Sequence, residues 1–144
     1  MQQQIEAPTE EDIDHIAQAI LHAQRVTTEV LGQEMDGTRA DLALIQRLLD
    51  TGTIERESTY TLHSLGLAFG RAFVNENKAF DWWIVQDGSG RDPVLRYRDS
   101  CLLAFPKTML SKRIKEGASL DVVSLFDQLS ERLGRLIAEG YGTR

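Results

Sequence analysis

The sequence predicts an α+β fold, in which a three-stranded antiparallel β-meander is packed by about five α-helices. Three observations predict it: apolar residues recur at helical spacing early in the chain, two strand-like segments flank a glycine-containing turn, and a third apolar segment leads into a basic helix. A chain of 144 residues has the size of one domain. We therefore expect a single domain over residues 1–144, with a helical hairpin at 9–52 and the sheet with its helices at 58–138.

The N-terminal part predicts two helices that form a hairpin. Thr9 and Asp12 have the spacing of a capping box, in which each side chain bonds to the backbone amide of the other residue. Apolar residues then recur at helical spacing until Gly32, which supplies the stop. Thr38 and Asp41 repeat the capping-box spacing before a second, shorter helix. A Gly/Asp turn joins the two helices, so we expect them to lie antiparallel.

A third helix is predicted from about Thr59 to Asn77. Gly66 and Gly70 lie one turn apart on its apolar side, and each glycine in a helix interior costs about 1 kcal/mol relative to alanine. Two such residues indicate the close approach of another backbone, for which a strand or the last helix is the expected neighbour. A groove that faces a ligand is the alternative interpretation.

Three strands are predicted next. Residues 81–86 are rich in aromatic and β-branched side chains, residues 87–90 form a tight turn, and residues 94–98 return as the second strand. Residues 101–105 form a third, fully apolar strand, in which we expect Cys101 to be buried. A fully apolar strand indicates that helices cover at least one face of the sheet.

Two helices are predicted to follow the sheet. Pro106 opens a basic helix over residues 107–116, and Gly117 stops it. The last helix begins near Ser119 or Asp121 and is strongly amphipathic, so one of its faces is expected to cover the core.

Charge is unevenly distributed along the chain, whose net charge is −6. Residues 1–57 carry twelve acidic and four basic side chains, whereas residues 91–117 carry three acidic and seven basic ones. An acidic protein is not expected to bind nucleic acid, which requires many phosphate contacts. A local basic patch is compatible with one anionic ligand or an acidic partner. The alternative is that the acidic and basic segments pair with each other.

Composition also bears on the compartment. No apolar run approaches the ~20 residues that span a bilayer, and the N-terminus lacks the basic start and apolar core of a secretory signal. The single cysteine, Cys101, fits a reducing compartment. We therefore expect a cytoplasmic protein that does not insert into membranes.

No motif for catalysis, a cofactor or a metal stands out. The loop at residues 87–93 matches neither a dinucleotide fingerprint nor a calcium loop. His15 and His22 lie seven residues apart, whereas metal-binding pairs on helices use spacings of three or four. Cys101 with His63 would be a nucleophile and a base, but an apolar strand does not lower a thiol pKa. We expect no cofactor, no bound metal and no catalytic residue.

The basic segment supports a binding hypothesis. Alternation along a strand places Arg96 and Arg98 on one sheet face, and i, i+4 spacing places basic residues on one face of the following helix. The two tryptophans must point to opposite faces, so one belongs to the core and the other is a candidate binding platform. The predicted binding residues are Trp82, Trp83, Arg91, Arg96, Arg98, Lys107, Lys112 and Lys115. The alternative is a solvated surface on which the arginines pair with nearby aspartates.

Several motifs in a fixed order resemble a known family. The motifs are Leu65-Gly66-x-x-Phe69-Gly70, Asp81-Trp82, Asp87-x-x-Gly90-Arg91-Asp92-Pro93, Phe105-Pro106 and Ser111-Lys112-Arg113-Ile114-Lys115-Glu116-Gly117. Together, over about residues 58–130, they are similar to the bacterial domain-of-unknown-function family numbered 3806. The resemblance implies no activity, cofactor or catalytic residue, so none is transferred to this chain.

We predict a small non-enzymatic binding or interaction module, monomeric or homodimeric, that recognises an anionic ligand or an acidic partner protein through its Trp/Arg sheet face and basic helix. One alternative is an enzyme for a small anionic substrate, with a pocket built from Asp87, Arg91, Asp92, Arg96 and Lys112. Another is a structural domain that dimerises through its helices. Titratable groups that converge in a concave pocket would favour the enzyme, and a flat patch around an aromatic residue would favour the binding module.

Overall fold

A four-stranded antiparallel sheet organises the protein, for which the computed structural model describes residues 3–141. The strands follow one another across the sheet in chain order: β1 (Gln4–Glu6), β2 (Phe80–Asp87), β3 (Gly90–Tyr97) and β4 (Leu103–Ala104). The helices are α1 (Glu10–Leu31), α2 (Asp41–Asp50), α3 (Thr59–Glu76), α4 (Met109–Lys115) and α5 (Val122–Ala138), with a 3₁₀ turn at Pro106–Thr108 before α4. Within residues 3–141, no helix combines the length and apolar character that crossing a membrane requires.

The sheet has one strand more than the sequence predicted. β1 pairs antiparallel with β2, and Ile5 lies opposite Val85. β1 has only three residues, which are too few for their alternation of polar and apolar side chains to mark a strand. Its conformation comes from pairing with the edge of β2, which is a contact between distant parts of the chain. The prediction of three strands is therefore wrong, whereas the α+β class and the five helices are confirmed.

The two predicted capping boxes differ in outcome. Thr9 Oγ1 accepts a hydrogen bond from the Asp12 amide at 3.1 Å, and the Asp12 carboxylate accepts one from the Thr9 amide at 2.9 Å. α1 then ends at Gly32 with a positive φ of 69°, as predicted. α2 begins without a side-chain cap. The capping box proposed for Thr38 and Asp41 is therefore wrong.

Asp41 fixes the loop that precedes α2. Its buried carboxylate accepts hydrogen bonds from the amides of Asp36 and Gly37, each at 2.9 Å, and from Arg71 Nη2 at 3.2 Å. Asn75 Nδ2 donates to the Gly37 carbonyl at 2.6 Å. Since a buried carboxylate is stable only with such partners, these bonds hold the loop against α3.

The main core lies between the helices and the inner face of the sheet, which carries Phe80 and Trp82. Phe73 packs edge-on against Phe80 and Phe126, with ring centroids 5.2 and 5.5 Å apart. Phe126 also meets Phe69 at 5.4 Å. Such edge-to-face pairs are favourable arrangements of aromatic rings. They join α3 and α5 to β2.

The predicted close approach of another backbone is confirmed at Gly66, where the neighbour is the 3₁₀ turn. A Cβ atom on Gly66 would overlap with the carbonyl oxygen of Pro106 and lie 2.7 Å from that of Lys107. A Cβ atom on Gly70 would lie 2.8 Å from the ring of Trp82 and 2.9 Å from that of Pro106. The expectation of a strand or the last helix as the approaching backbone is wrong, because Trp82 of β2 contributes only its side-chain ring at Gly70 and the backbone beside Gly66 is the 3₁₀ turn. This contact brings Lys107 beside α3.

The third predicted strand is shorter than expected. β4 spans two residues, because Ser100 Oγ donates to the Tyr97 carbonyl at 2.6 Å and thereby stabilises a turn before the strand. Cys101 lies after this turn and is exposed. The prediction that Cys101 is buried in an apolar strand is therefore wrong.

Candidate functional site

A pocket of about 240 Å³ opens between α1, α3 and the inner sheet face. We call it the α1–α3 pocket. Its apolar lining comes from Ile16, Ala19, Leu67, Ile84 and Pro93. Its polar and charged lining comes from Asp12, His15, Tyr60, His63, Arg91 and Lys107. An apolar surface with a few converging polar groups is the usual composition of a small-molecule site.

Arg91 lines the pocket, but most of its hydrogen-bond donors are occupied. Nε and Nη2 donate to the carboxylate of Asp12 at 3.2 and 2.6 Å, and Nη1 donates to Glu6 at 2.7 Å. The bidentate hydrogen bonds from Arg91 hold the pKa of Asp12 well below its usual range. The hydrogen bonds to Asp12 and Glu6 in turn raise the pKa of Arg91. This ion pair joins the acidic N-terminal segment to the basic segment, which supports the alternative of internal pairing.

Lys107 keeps donors available on the other side of the pocket. Its ammonium group contacts Asp92 Oδ1 at 3.1 Å, and about a third of the Lys107 side chain is exposed. An ammonium group has three N–H donors. Because Asp92 is the only partner of this ammonium group within residues 3–141, two donors remain for a bound molecule.

His63 lies half-buried on α3 beside Lys107. Burial lowers the pKa of its ring, and the positive charges of Lys107 and Lys115 lower it further, against an opposing effect of Asp92. Its imidazole is therefore neutral at pH 7, with one nitrogen that donates and one that accepts. No hydrogen bond engages the ring in the described part of the chain.

His15 and Tyr60 complete the polar lining from α1 and α3. The ring of Tyr60 lies 5.0 Å from that of His22, and His22 Nε2 shares a 2.9 Å hydrogen bond with Thr61 Oγ1. Among residues 3–141, no cluster of three or more histidine, cysteine or acidic side chains is arranged to hold a metal.

The two tryptophans point to opposite faces of β2. Trp82 packs on the inner face against Gly70. Trp83 lies on the outer face, where the guanidinium carbon of Arg96 is 4.4 Å from its ring centroid. A cation at this distance from an indole ring is stabilised by the ring electrons.

The prediction that Arg96 and Arg98 share one face of a strand is wrong, because β3 ends at Tyr97 and Arg98 lies in the turn that follows. Arg96 is only 9% exposed, and it donates to the carbonyls of Ser100 and Asp99 at 2.6 and 2.7 Å. Its guanidinium group thus stabilises the turn between β3 and β4. Arg98 is exposed, has a positive φ of 50°, and lies 5.1 Å from the ring centroid of Tyr97.

The basic helix divides its charges between two surfaces. Lys107 lines the α1–α3 pocket, and Lys115 is close enough to influence the pKa of His63. Lys112 instead lines a groove between α4 and α5. The structure therefore brings Arg91 and Lys107 to one pocket, with Lys115 nearby, and separates Lys112 from them.

The five residues of the predicted enzyme pocket are not brought together. Arg91 lies in the α1–α3 pocket and Asp92 reaches its border through Lys107. Arg96 serves the turn after β3, Lys112 lines the other groove, and Asp87 accepts hydrogen bonds from Ser89 in the hairpin turn. Alternation along a strand shows which residues share a face, but it does not show which face borders a pocket or where the side chains of α4 lie.

Sequence reasoning missed three residues of the α1–α3 pocket as a group. Tyr60, His63 and Leu67 follow one another at helical spacing on α3, and His15 precedes Ile16 on α1. A stripe of aromatic and imidazole groups on an otherwise apolar helix face was the available signal. The neighbouring helix that completes the pocket could not be identified without the fold.

Comparisons with known proteins bear on the fold. The model of a family described as Domain of unknown function (DUF3806) matches residues 41–126. A crystal structure of a protein from Bacteroides thetaiotaomicron VPI-5482 is similar to this chain, with a TM-score of 0.84 and 18% identity over 92% of this chain and 48% of that one. The chain thus spans about half the length of that protein, and the likeness concerns the fold. The comparison with curated proteins gives no match.

The residues matched by the family model include only part of the lining of the α1–α3 pocket. Tyr60, His63, Arg91 and Lys107 lie inside the matched residues, whereas α1 with Asp12 and His15 lies outside them. Most of the groups that can donate hydrogen bonds to a ligand therefore come from the matched part.

Proposed function

The chain belongs to the family described as Domain of unknown function (DUF3806), and we propose from the geometry that it is a binding module for a small organic anion. The ligand occupies the α1–α3 pocket. The observation that supports this proposal is the convergence of Lys107 and His63 beside a buried apolar surface. Lys107 and His63 bind the anionic group, and the apolar body of the ligand packs against Ile16 and Leu67.

The size of the pocket limits the ligand. Its volume of about 240 Å³ lies just below the ~300–1,000 Å³ of most small-molecule sites. A short carboxylic acid fits this space better than a nucleotide or a peptide. A carboxylate also matches two separated donors better than a cation or a neutral group would.

Occupied carboxylates favour binding over catalysis. Asp12 is held by Arg91, and Asp92 is held by Lys107, so neither is available as a general base. The neutral ring of His63 favours the second candidate, an enzyme in which His63 is the base and Lys107 binds an anionic substrate. The two candidates differ in whether a ligand is recovered unchanged after incubation with the protein.

A thermal-shift series tests the proposal. Straight-chain monocarboxylates from acetate to octanoate would be compared with primary alcohols of the same length. We expect carboxylates of intermediate length to raise the melting temperature, because a ligand that binds only the folded state stabilises it. The matched alcohols should have no such effect.

Two substitutions locate the effect. Lys107→Gln and His63→Gln should each abolish the shift, whereas Lys78→Gln, at an exposed lysine outside the pocket, should retain it. Equal shifts with alcohols, or a shift that survives Lys107→Gln, would contradict the proposal. Binding should also tighten as the pH falls from about 8 to about 6, because a bound anion favours protonated His63.

A further inference from the structure

A groove between α4 and α5 reaches the edge of the sheet at β4. It has a volume of about 320 Å³ and is lined by residues 102–105 along the sheet edge and by Leu129, Leu133 and Leu136 of α5. It continues into a cavity of about 170 Å³ that shares Met109 and Leu129. We call this surface the α4–α5 groove. It shares no lining residue with the α1–α3 pocket.

Three cations border the α4–α5 groove. They are Lys112 and Arg113 of α4 and Arg132 of α5. Within residues 3–141 none of the three is in an ion pair, and Arg113 makes one hydrogen bond to the Met109 carbonyl. This contrasts with Arg91 and Lys107, whose charges are matched by carboxylates. The groove therefore has a positive border that an acidic partner would complement.

The strand beside the groove has backbone groups available. Tyr97 N donates to the Leu102 carbonyl at 3.1 Å, and Leu95 lies opposite Ala104. Bonded and non-bonded pairs alternate along an antiparallel ladder, so Leu103 directs its N–H and C=O away from β3. β4 is the last strand of the sheet. Leu103 therefore presents a donor and an acceptor at an open edge, to which an extended chain can add.

We propose that the α4–α5 groove binds an acidic, extended peptide segment of a partner protein. The segment adds to β4 through hydrogen bonds to Leu103. Its alternate apolar side chains enter the groove, and its carboxylates contact Lys112 and Arg132. Phe105, which is 38% exposed, adds apolar surface beside the same edge. This interaction is independent of the anion proposed for the α1–α3 pocket.

A peptide selection tests the chemistry of the partner. Random twelve-residue peptides displayed on phage would be selected on the immobilised chain. We expect enriched sequences in which acidic residues alternate with apolar ones, and binding that weakens as salt is added. Enrichment of basic sequences, or no enrichment, would overturn the proposal.

Charge reversal tests the site. The enriched peptide should bind the Lys112→Glu/Arg132→Glu variant at least about tenfold more weakly than the wild type. The matched control, Arg56→Glu/Lys78→Glu, changes two exposed cations outside the groove and should bind as the wild type does. Equal losses in both variants would show a general charge effect and overturn the assignment of the groove.

Hydrogen exchange tests the binding mode. The Leu103 amide should become protected when the peptide binds, and His63→Gln should leave this protection unchanged. Peptide binding without protection of Leu103 would overturn strand addition. Sedimentation of the free chain tests whether a second copy of the chain occupies the groove. A monomer supports the proposal of a peptide partner. A dimer that dissociates in the Lys112→Glu/Arg132→Glu variant would overturn it.

Discussion

α3 and α5 each contain glycine well inside the helix, but the surroundings of these glycines differ. A Cβ atom on Gly66 or Gly70 would collide with the 3₁₀ turn or with Trp82, whereas nothing lies within 4 Å of a Cβ atom on Gly134. Neighbouring chain covers the two glycines of α3, and we call this the closed side. Gly134 lies on an exposed face of α5, whose other face borders the α4–α5 groove, and we call this the open side. A glycine within a helix therefore indicates close packing only when a neighbouring element occupies the space.

The cations differ between the two sides in a similar way. Beside α3, Arg91 and Lys107 are paired with carboxylates. Beside α5, Lys112 and Arg132 have no ion pair within residues 3–141. We therefore expect Arg91 to contribute to stability, and we expect Arg132, which has no such pair, to be replaceable with little effect on it. The comparison can be tested with substitutions that are matched across the two sides.

The largest effect is expected from Gly66→Ala. The added methyl group would meet the carbonyl oxygens of Pro106 and Lys107, and overpacking of this kind costs about 1–3 kcal/mol. We expect a loss near the upper end, because backbone cannot rotate away as a side chain can. Urea unfolding measures it. A midpoint at or above that of the wild type would show that the closed side is not tightly packed.

A similar loss of stability is expected from a substitution one turn further along α3. Gly70→Leu would meet the rings of Trp82 and Pro106 and should cost about 1–3 kcal/mol. A variant that melts at the wild-type temperature would contradict the close approach at this position.

The next effect concerns the cation of the closed side. Arg91→Met should lower the free energy of unfolding, because it leaves the carboxylate of Asp12 buried without its main partner. Arg132→Met is the matched control on the open side and should leave stability nearly unchanged.

The acid dependence of the two variants adds a second measurement. The pKa of Asp12 is lowered in the folded protein, so its ion pair contributes stability above the ordinary aspartate pKa of about 3.9, and this contribution is lost as the pH falls below it. The difference in free energy of unfolding between the wild type and Arg91→Met should therefore become smaller at acid pH. If this difference in free energy did not change with pH, the lower stability would come from the methionine side chain and not from the lost ion pair.

Local signals in the sequence predicted most of the helices. The capping box joins Thr9 to Asp12, and the Gly32 amide at the end of α1 bonds to the Thr28 carbonyl. Each signal lies within about one helical turn, so the spacing alone identifies it. β1 could not be predicted in this way, since its partner β2 lies about eighty residues further along the chain. Cys101 was misplaced because an apolar run does not reveal the turn that precedes it.

The candidate site depended more heavily on distant contacts. The sequence identified the basic segment, but it could not assign Arg91 to Asp12 among the many acidic residues. The sequence also could not show that Arg96 stabilises the turn after β3, whereas Lys112 borders the α4–α5 groove. The faces on which these side chains lie are set by strand register and by the position of the 3₁₀ turn, which depend on the whole fold.

A smaller effect of opposite sign is expected on the open side. Gly134→Ala should stabilise the protein by about 0.5–1 kcal/mol, because alanine is the better helix former and its methyl group meets open space. Urea unfolding should show a higher midpoint. Destabilisation by this substitution would mean that α5 is packed as closely as α3, which would remove the basis of the comparison.

The smallest effect is expected in the pH dependence of His63. Burial and the charges of Lys107 and Lys115 lower the pKa of its ring in the folded protein. Between this lowered pKa and the ordinary value of about 6.5, the unfolded chain binds a proton that the folded chain does not. Stability should therefore fall as the pH falls through about 6.5, and His63→Gln should lose this part of the dependence.

Titration of the ring by NMR distinguishes the two sides directly. Lys115→Gln should raise the His63 pKa toward its ordinary value, because one of the positive charges that lower it has been removed. Lys112→Gln, one turn of chain away but on the open side, should leave the His63 pKa unchanged. Equal shifts in the two variants would mean that both lysines act on the pocket. In that case the α4 charges would form one surface rather than two, and the separation between the α1–α3 pocket and the α4–α5 groove would fail.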